Sequence, residues 1–205
     1  MKRIIMAVVA TMCPVAVLSQ QVSSIPEIIA FMSTNDYRRC FAITNEIDSV
    51  MASTTGILER ATCKLLKVSI LLDHSANMAN EDSFVSATNL CREIESELSG
   101  VIAWQRIGAL CKFANAMFED GHPEFAFSAS TNLLIAFQST QCIEANTNAW
   151  NVLFRSGGLD VMPIVDFINA NAAASQFRMD PSADLSPYTN ALPQAVIREI
   201  IRRNE

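Results

Sequence analysis

The sequence lacks the signatures of the common catalytic and metal sites. It contains no Gly-x-Ser-x-Gly elbow, no His-Glu-x-x-His, no Cys-x-x-Cys and no glycine-rich phosphate loop. Only two histidines occur, His74 and His122, and neither has a second histidine at metal-ligand spacing. A cysteine–histidine nucleophile pair stays open, because such partners meet only in the folded chain. These absences favour a binding or structural protein over an enzyme, with no catalytic residue, no metal site and no cofactor.

The chain also lacks an Asn-x-Ser/Thr sequon, so N-glycans are not expected. Its apolar run at 4–18 is too short for a permanent membrane anchor. Lys2 and Arg3 precede that run, and compact residues ending at Ser19 follow it, which is typical of a secretion signal. We therefore predict a signal peptide over 1–19, a secreted extracellular protein and no membrane association after cleavage.

Clustered positive charge is missing as well. Without the leader, 13 basic residues face 21 acidic ones. Nucleic acid and anionic membranes need clustered cations, so neither is expected as a partner. The acidic side chains scatter over polar helix faces, and Glu93, Glu95 and Glu97 are expected on a solvated surface. Apolar residues make up 50% of the chain, which partly reflects the leader and partly indicates a surface that meets a partner.

Apolar residues recur at helical spacing along nearly the whole mature chain, and no strand-like alternation is sustained. We predict an all-α fold, a compact bundle of about seven to nine short amphipathic helices, disulfide-stabilised, in a single helical domain over 20–205. The first two predicted helices begin at Ser24 and Asp36. Five more carry the apolar stripes at 57–72, 84–98, 104–118, 125–137 and 143–154. The last two begin near Pro163 and span 192–202.

Turn residues separate these helices. Ser53 to Gly56 interrupts the second helix, and Gly100 suits the left-handed conformation after a helix. The segment 120–123 is predicted to be a turn, and 156–158 a break. The polar stretch 179–190 contains two prolines and is predicted to be a loop or tether before the C-terminal helix.

The cysteine count is odd once the leader is removed. Cys13 belongs to the leader, and five cysteines remain: Cys40, Cys63, Cys91, Cys111 and Cys142. In an oxidising environment an unpaired thiol usually finds a partner on another molecule. The odd count therefore indicates covalent attachment to another protein. The alternative is one buried, inert thiol.

Three segments together carry a resemblance. The first is a small-residue helix over 80–100 that ends at Leu98-Ser99-Gly100, close to a Leu-Ser-x-Gly stop. The second runs from Cys111-Lys112-Phe113-Ala114-Asn115 through Gly121 to Phe125-Ala126-Phe127, and the third is Cys142 followed by Ala-Trp-Asn-Val-Leu at 149–153. In order and spacing they resemble the fibroin light chain family, the small helical silk subunit of moths and caddisflies.

The resemblance implies a non-enzymatic structural subunit. It would join a large fibrous heavy chain through an intermolecular disulfide and aid the secretion and solubility of that partner. It also implies an internal bridge between Cys111 and Cys142. The family's linking cysteine lies after the Ala-Trp helix, and here no cysteine follows Cys142. The link would then fall to Cys40, Cys63 or Cys91.

Helical position separates these three cysteines. Cys40 and Cys91 lie on apolar stripes, where thiols tend to be buried and can meet each other. Cys63 lies off its stripe between Arg60 and Lys64, and neighbouring cations lower the pKa of a thiol. We therefore predict a Cys40–Cys91 bridge and an intermolecular disulfide at Cys63. The alternative pairs Cys40 with Cys63 and leaves Cys91 buried and free.

A second function class remains open. Short helices rich in Phe, Met, Leu and Ile can enclose an apolar pocket. The sequence is therefore also compatible with a secreted helical carrier for a small apolar ligand.

Overall fold

A computed structural model describes residues 22–101, 103–137, 164–190 and 192–204. Within these ranges all regular structure is helical, which confirms the all-α prediction. The ten helices of the described residues are α1 (Ile25–Thr34), α2 (Tyr37–Ala42), α3 (Thr44–Ser53), α4 (Ile57–Met78), α5 (Glu81–Glu97), α6 (Trp104–Glu119), α7 (Pro123–Phe137), α8 (Ile164–Met179), α9 (Ser186–Thr189) and α10 (Gln194–Asn204).

Most predicted stops lie where the structure has them. The α4–α5 turn was not among the predicted stops: it begins at Ala79, which adopts a left-handed φ of 48°, and Asn80 caps α5 by accepting a hydrogen bond from the Ser83 N–H. Gly100 and Gly121 have positive φ values of 76° and 85°, as the predicted stops after α5 and α6 require. The predicted helix at 143–154, the break at 156–158 and Pro163 lie outside the described residues.

Two of the described helices were not predicted as separate helices. The stripe from Asp36 was predicted to be one helix, but it is divided into α2 and α3 at Ile43, where φ is −96° and ψ is 11°. Cys40, Ile43 and Ile47 are buried on both sides of this break, so the stripe correctly marked the buried face. The predicted loop at 179–190 contains the short helix α9.

The described helices share three buried clusters. The first surrounds α4 and draws side chains from α1 to α6. The second lies between α6, α7 and α8, and the third joins α8 to α10 around Ala173, Leu192 and Ile200. The helices α6 and α8 each contribute to two clusters and so connect the ends of the fold.

After a largely exposed first turn, the helix α4 is enclosed on all sides in its middle. Residues 61–66 are six consecutive buried positions, which is more than one full turn of 3.6 residues. The helix α6 approaches closely at Gly108, where an added Cβ would lie 2.6 Å from Cδ2 of Leu65. Since Leu65 is itself fully buried, the missing side chain at Gly108 sets how near these two helices can pack.

This contact predicts a coupled pair of substitutions. Gly108→Val should lower the free energy of unfolding by about 1–3 kcal/mol through overpacking. Leu65→Ala should lower it by about 2–5 kcal/mol by opening a cavity. The double variant should lose less free energy of unfolding than the two single variants together, since the added valine side chain fills the space that the leucine leaves.

Urea unfolding followed by circular dichroism measures all three variants. Ala76→Val is the matched control, because Ala76 is an exposed position of α4. Strict additivity of the Gly108 and Leu65 effects would contradict the close approach.

Candidate ligand-binding groove and buried thiols

An open groove lies between α5, α6 and α7. Its volume is about 390 Å³, within the range of about 300–1,000 Å³ that small-molecule sites occupy. Apolar side chains of α6 and α7 form its floor, and polar side chains of α5 and α7 form its rim. The lining residues are Cys91, Arg92, Glu95, Ser96, Ser99, Ala109, Leu110, Phe113, Phe125, Ser128, Ala129 and Asn132.

Two charged side chains of α5 lie at the groove, and their contacts differ. Glu95 accepts two hydrogen bonds from the Arg106 guanidinium at 2.8 and 2.6 Å, so its charge is compensated. The Arg92 guanidinium lies 5.5 Å from the centre of the Phe113 ring and donates to Asn89 at 3.3 Å. Among the described residues no carboxylate forms an ion pair with Arg92. Of the two charges in the lining, that of Glu95 is paired and that of Arg92 is left to face the groove.

The acidic run of α5 fastens this helix to its neighbours. The buried Lys64 ammonium of α4 contacts Glu93 at 2.9 Å and Glu97 at 2.6 Å. Burial would lower the pKa of Lys64, but the hydrogen bonds that its ammonium donates to Glu97 and Glu93 raise it. Glu93 and Glu97 are exposed, as expected of a solvated surface, and Glu95 is half-buried; all three also form ion pairs between helices, which the sequence did not indicate.

Cys63 is fully buried inside α4. The prediction of an intermolecular disulfide there rested on a position off the apolar stripe with flanking cations, but the position is buried and neither cation lowers the pKa of the thiol. The ammonium of Lys64 is held by two glutamates of α5, and burial raises the pKa of the Cys63 thiol, with the Glu59 carboxylate adding to the rise. A high pKa leaves little reactive thiolate.

The other described cysteines are also buried free thiols. Burial raises the pKa of Cys40 to about 11, with Asp73 and Asp36 contributing, and that of Cys91 to about 12. Burial raises the pKa of Cys111 as well. Cysteines at disulfide distance are absent from the described ranges, so the Cys40–Cys91 bridge is not formed in the structure and stays a prediction.

The predicted Cys111–Cys142 bridge involves a residue that the structure does not describe. Cys142 and the segment 149–153 both lie outside the described residues, as does Cys13 of the predicted leader. Cys111 itself is a free buried thiol in the centre of α6.

The two histidines make contacts that serve packing and helix ends. His74 of α4 stacks on Phe41 with ring centres 3.7 Å apart, and its Nδ1 lies 3.0 Å from the Ser83 hydroxyl. His122 is exposed before α7, with nitrogen–oxygen distances of 3.7 Å to Asp120 and 3.5 Å to Glu124. Within the ranges described, no group of three His, Cys, Asp or Glu side chains is placed to hold a metal ion.

Sequence reasoning missed the groove and a buried cation beside it. Lys112 of α6 is buried, and burial lowers its pKa, while Asp73 is the largest opposing influence. The sequence held one indication of the groove, which is the aromatic Phe125 soon after the 120–123 turn. In the structure this side chain is 49% exposed. No helix of the described residues is long and apolar enough to span a membrane.

The comparisons with known proteins add no relative. The chain matches no protein-family model, and neither curated proteins nor solved structures include a significant match to it. Fold and groove therefore define the class, an all-α protein with an open apolar groove and buried thiols.

The burial of the thiols predicts strong protection from alkylation. With reduced, folded protein at pH 8, iodoacetamide should modify Cys40, Cys63, Cys91 and Cys111 at least about tenfold more slowly than in denaturant, since little thiolate is present and access is blocked. Mass spectrometry of the labelled peptides measures each residue separately. The same protein in urea is the control. Labelling of Cys63 at its unfolded rate in the folded protein would contradict its burial.

Proposed function

We propose that the chain is a secreted, non-enzymatic structural subunit resembling a fibroin light chain. It joins a large fibrous protein through an intermolecular disulfide and aids the secretion and solubility of that partner. The observation that carries this proposal is the arrangement of the resembling segments. The two that fall within the described residues, 80–100 and 111–127, occupy three helices that pack against one another, α5, α6 and α7.

The residues of those segments have interlocking roles in this helix trio. Leu98 at the end of α5, Cys111 of α6 and Ala126 of α7 are fully buried. Gly100 and Gly121 end α5 and α6 in the left-handed conformation that glycine adopts without strain. Segments that lie on helices in contact, α5 with α6 and α6 with α7, support a resemblance in fold better than segments scattered over the molecule would.

The surface supports an association role. An acidic excess keeps a protein soluble, and it would oppose aggregation of an attached fibrous chain. Large apolar side chains also reach the surface in several places, where they offer contacts to a partner. They are Ile57, Leu58, Met78, Val85, Val101, Phe125, Ile135 and Met179.

The covalent link belongs to the proposal, and burial restricts how it forms. Because Cys63 is enclosed in α4, a link through it would have to form before α4 packs, while the two chains fold together. The bridges Cys40–Cys91 and Cys111–Cys142 complete the proposed pairing. Disulfides formed at that stage would also stabilise the bundle by restricting the unfolded chain.

Gel electrophoresis of the natural secretion tests the proposal. Without reductant the chain should run in a high-mass species, and with reductant it should run alone. In cells that secrete both chains, Cys63→Ser should abolish the high-mass species, and Cys40→Ser is the matched control that should retain it. A free monomer without reductant would contradict the covalent subunit, while loss only in Cys142→Ser would move the link to Cys142.

A carrier for a small apolar ligand is the second candidate. The groove between α5, α6 and α7 favours it, since its floor is apolar and its size suits a small molecule. Mass spectrometry of gently purified protein separates the two candidates, because a carrier retains its ligand and a purely structural subunit does not.

A further inference from the structure

We propose that the groove between α5, α6 and α7 binds a small aliphatic monocarboxylate, with its chain on the apolar floor and its carboxylate at Arg92. This site goes beyond the structural role proposed above, and it does not require that role.

The floor of the groove suits an aliphatic chain. Ala109 and Ala129 are short side chains on facing helices, and they leave room between α6 and α7. Phe113 and Phe125 form apolar walls. Phe125 lies in the first turn of α7, and its side chain is 49% exposed. A chain that covers these surfaces removes apolar area from water, which can tighten binding up to about fourfold for each methylene.

The charges of the rim select an anion. Glu95 is compensated by Arg106, so the remaining charge at the groove is that of Arg92. A guanidinium has five N–H donors, and in Arg92 the structure shows one hydrogen bond, to Asn89. The donors left over match a carboxylate, which arginine can bind through two parallel hydrogen bonds.

The rim also limits the ligand to a single negative charge. With Glu95 paired to Arg106, Arg92 is a single cation in the lining, which balances one negative charge and not those of a highly charged group such as a diphosphate. Ser96, Ser99 and Ser128 supply neutral hydroxyls that can hydrogen-bond the remaining carboxylate edge or bridging water. One uncompensated cation and several hydroxyls therefore fit a monocarboxylate.

Titration calorimetry of the full chain with dodecanoate and with dodecanol tests the site. Wild-type protein should bind dodecanoate more tightly, because the alcohol makes no ion pair. Arg92→Gln should weaken dodecanoate binding at least about tenfold, the loss expected for a charged hydrogen bond, and leave dodecanol unchanged. Ser128→Trp should abolish binding of both, since the indole fills the groove from an exposed position.

Arg38→Gln is the matched control. Arg38 is also an exposed arginine over an aromatic ring, 5.6 Å from the centre of Tyr37, but it lies on α2 away from the groove lining. It should leave both affinities unchanged. Circular dichroism confirms that each variant folds, which their exposed positions favour.

Three results would overturn the site: no dodecanoate binding by the wild type, equal affinity for dodecanoate and dodecanol, or unchanged binding in Ser128→Trp. These outcomes are independent of the gel test of the structural subunit. Failure of the groove leaves the disulfide-linked species in place, and failure of the link leaves ligand binding in place.

Discussion

The enclosure of α4 is the constraint on which the rest of the described structure depends. This helix packs against α1, α2, α3, α5 and α6, and its residues 61–66 are buried on every side. Its two internal lysines must therefore be neutralised. Lys64 meets Glu93 and Glu97, and Lys67 meets Asp48 at 2.6 Å. A buried cation without such partners costs several kcal/mol, on the order of 3–5, so the acidic residues of α3 and α5 are required by the burial of α4.

The same enclosure governs the thiols and the groove. Cys63 lies inside α4, where burial keeps it protonated despite the neighbouring cations. On the outer side, α5 is held by Glu93 and Glu97 to α4 and by Glu95 to α6. Because Glu95 is engaged in this way, Arg92 remains the charge that faces the groove. A structural requirement of the core thus leaves a binding surface between α5, α6 and α7.

The apolar stripes predicted the positions of the helices and much of the core, since periodicity records which face of a helix is buried. Ile47, Leu65 and Ile94 are fully buried as expected. The stripes could not predict that α4 is surrounded, because the enclosure of a helix depends on how many other helices pack against it. Cys63 was misjudged for this reason. The break at Ile43, the ion pairs of α5 and the groove likewise arise from contacts between helices distant in sequence.

Native-state hydrogen exchange of the α4 amides tests the enclosure most directly. If the rest of the structure depends on α4, the amides of 61–71 should exchange only through global unfolding, with an opening free energy equal to that from urea unfolding. Amides of the first and last described helices, α1 and α10, should exchange with a lower opening free energy than those of 61–71. Exchange of 61–71 through local openings well below the global value would contradict the account.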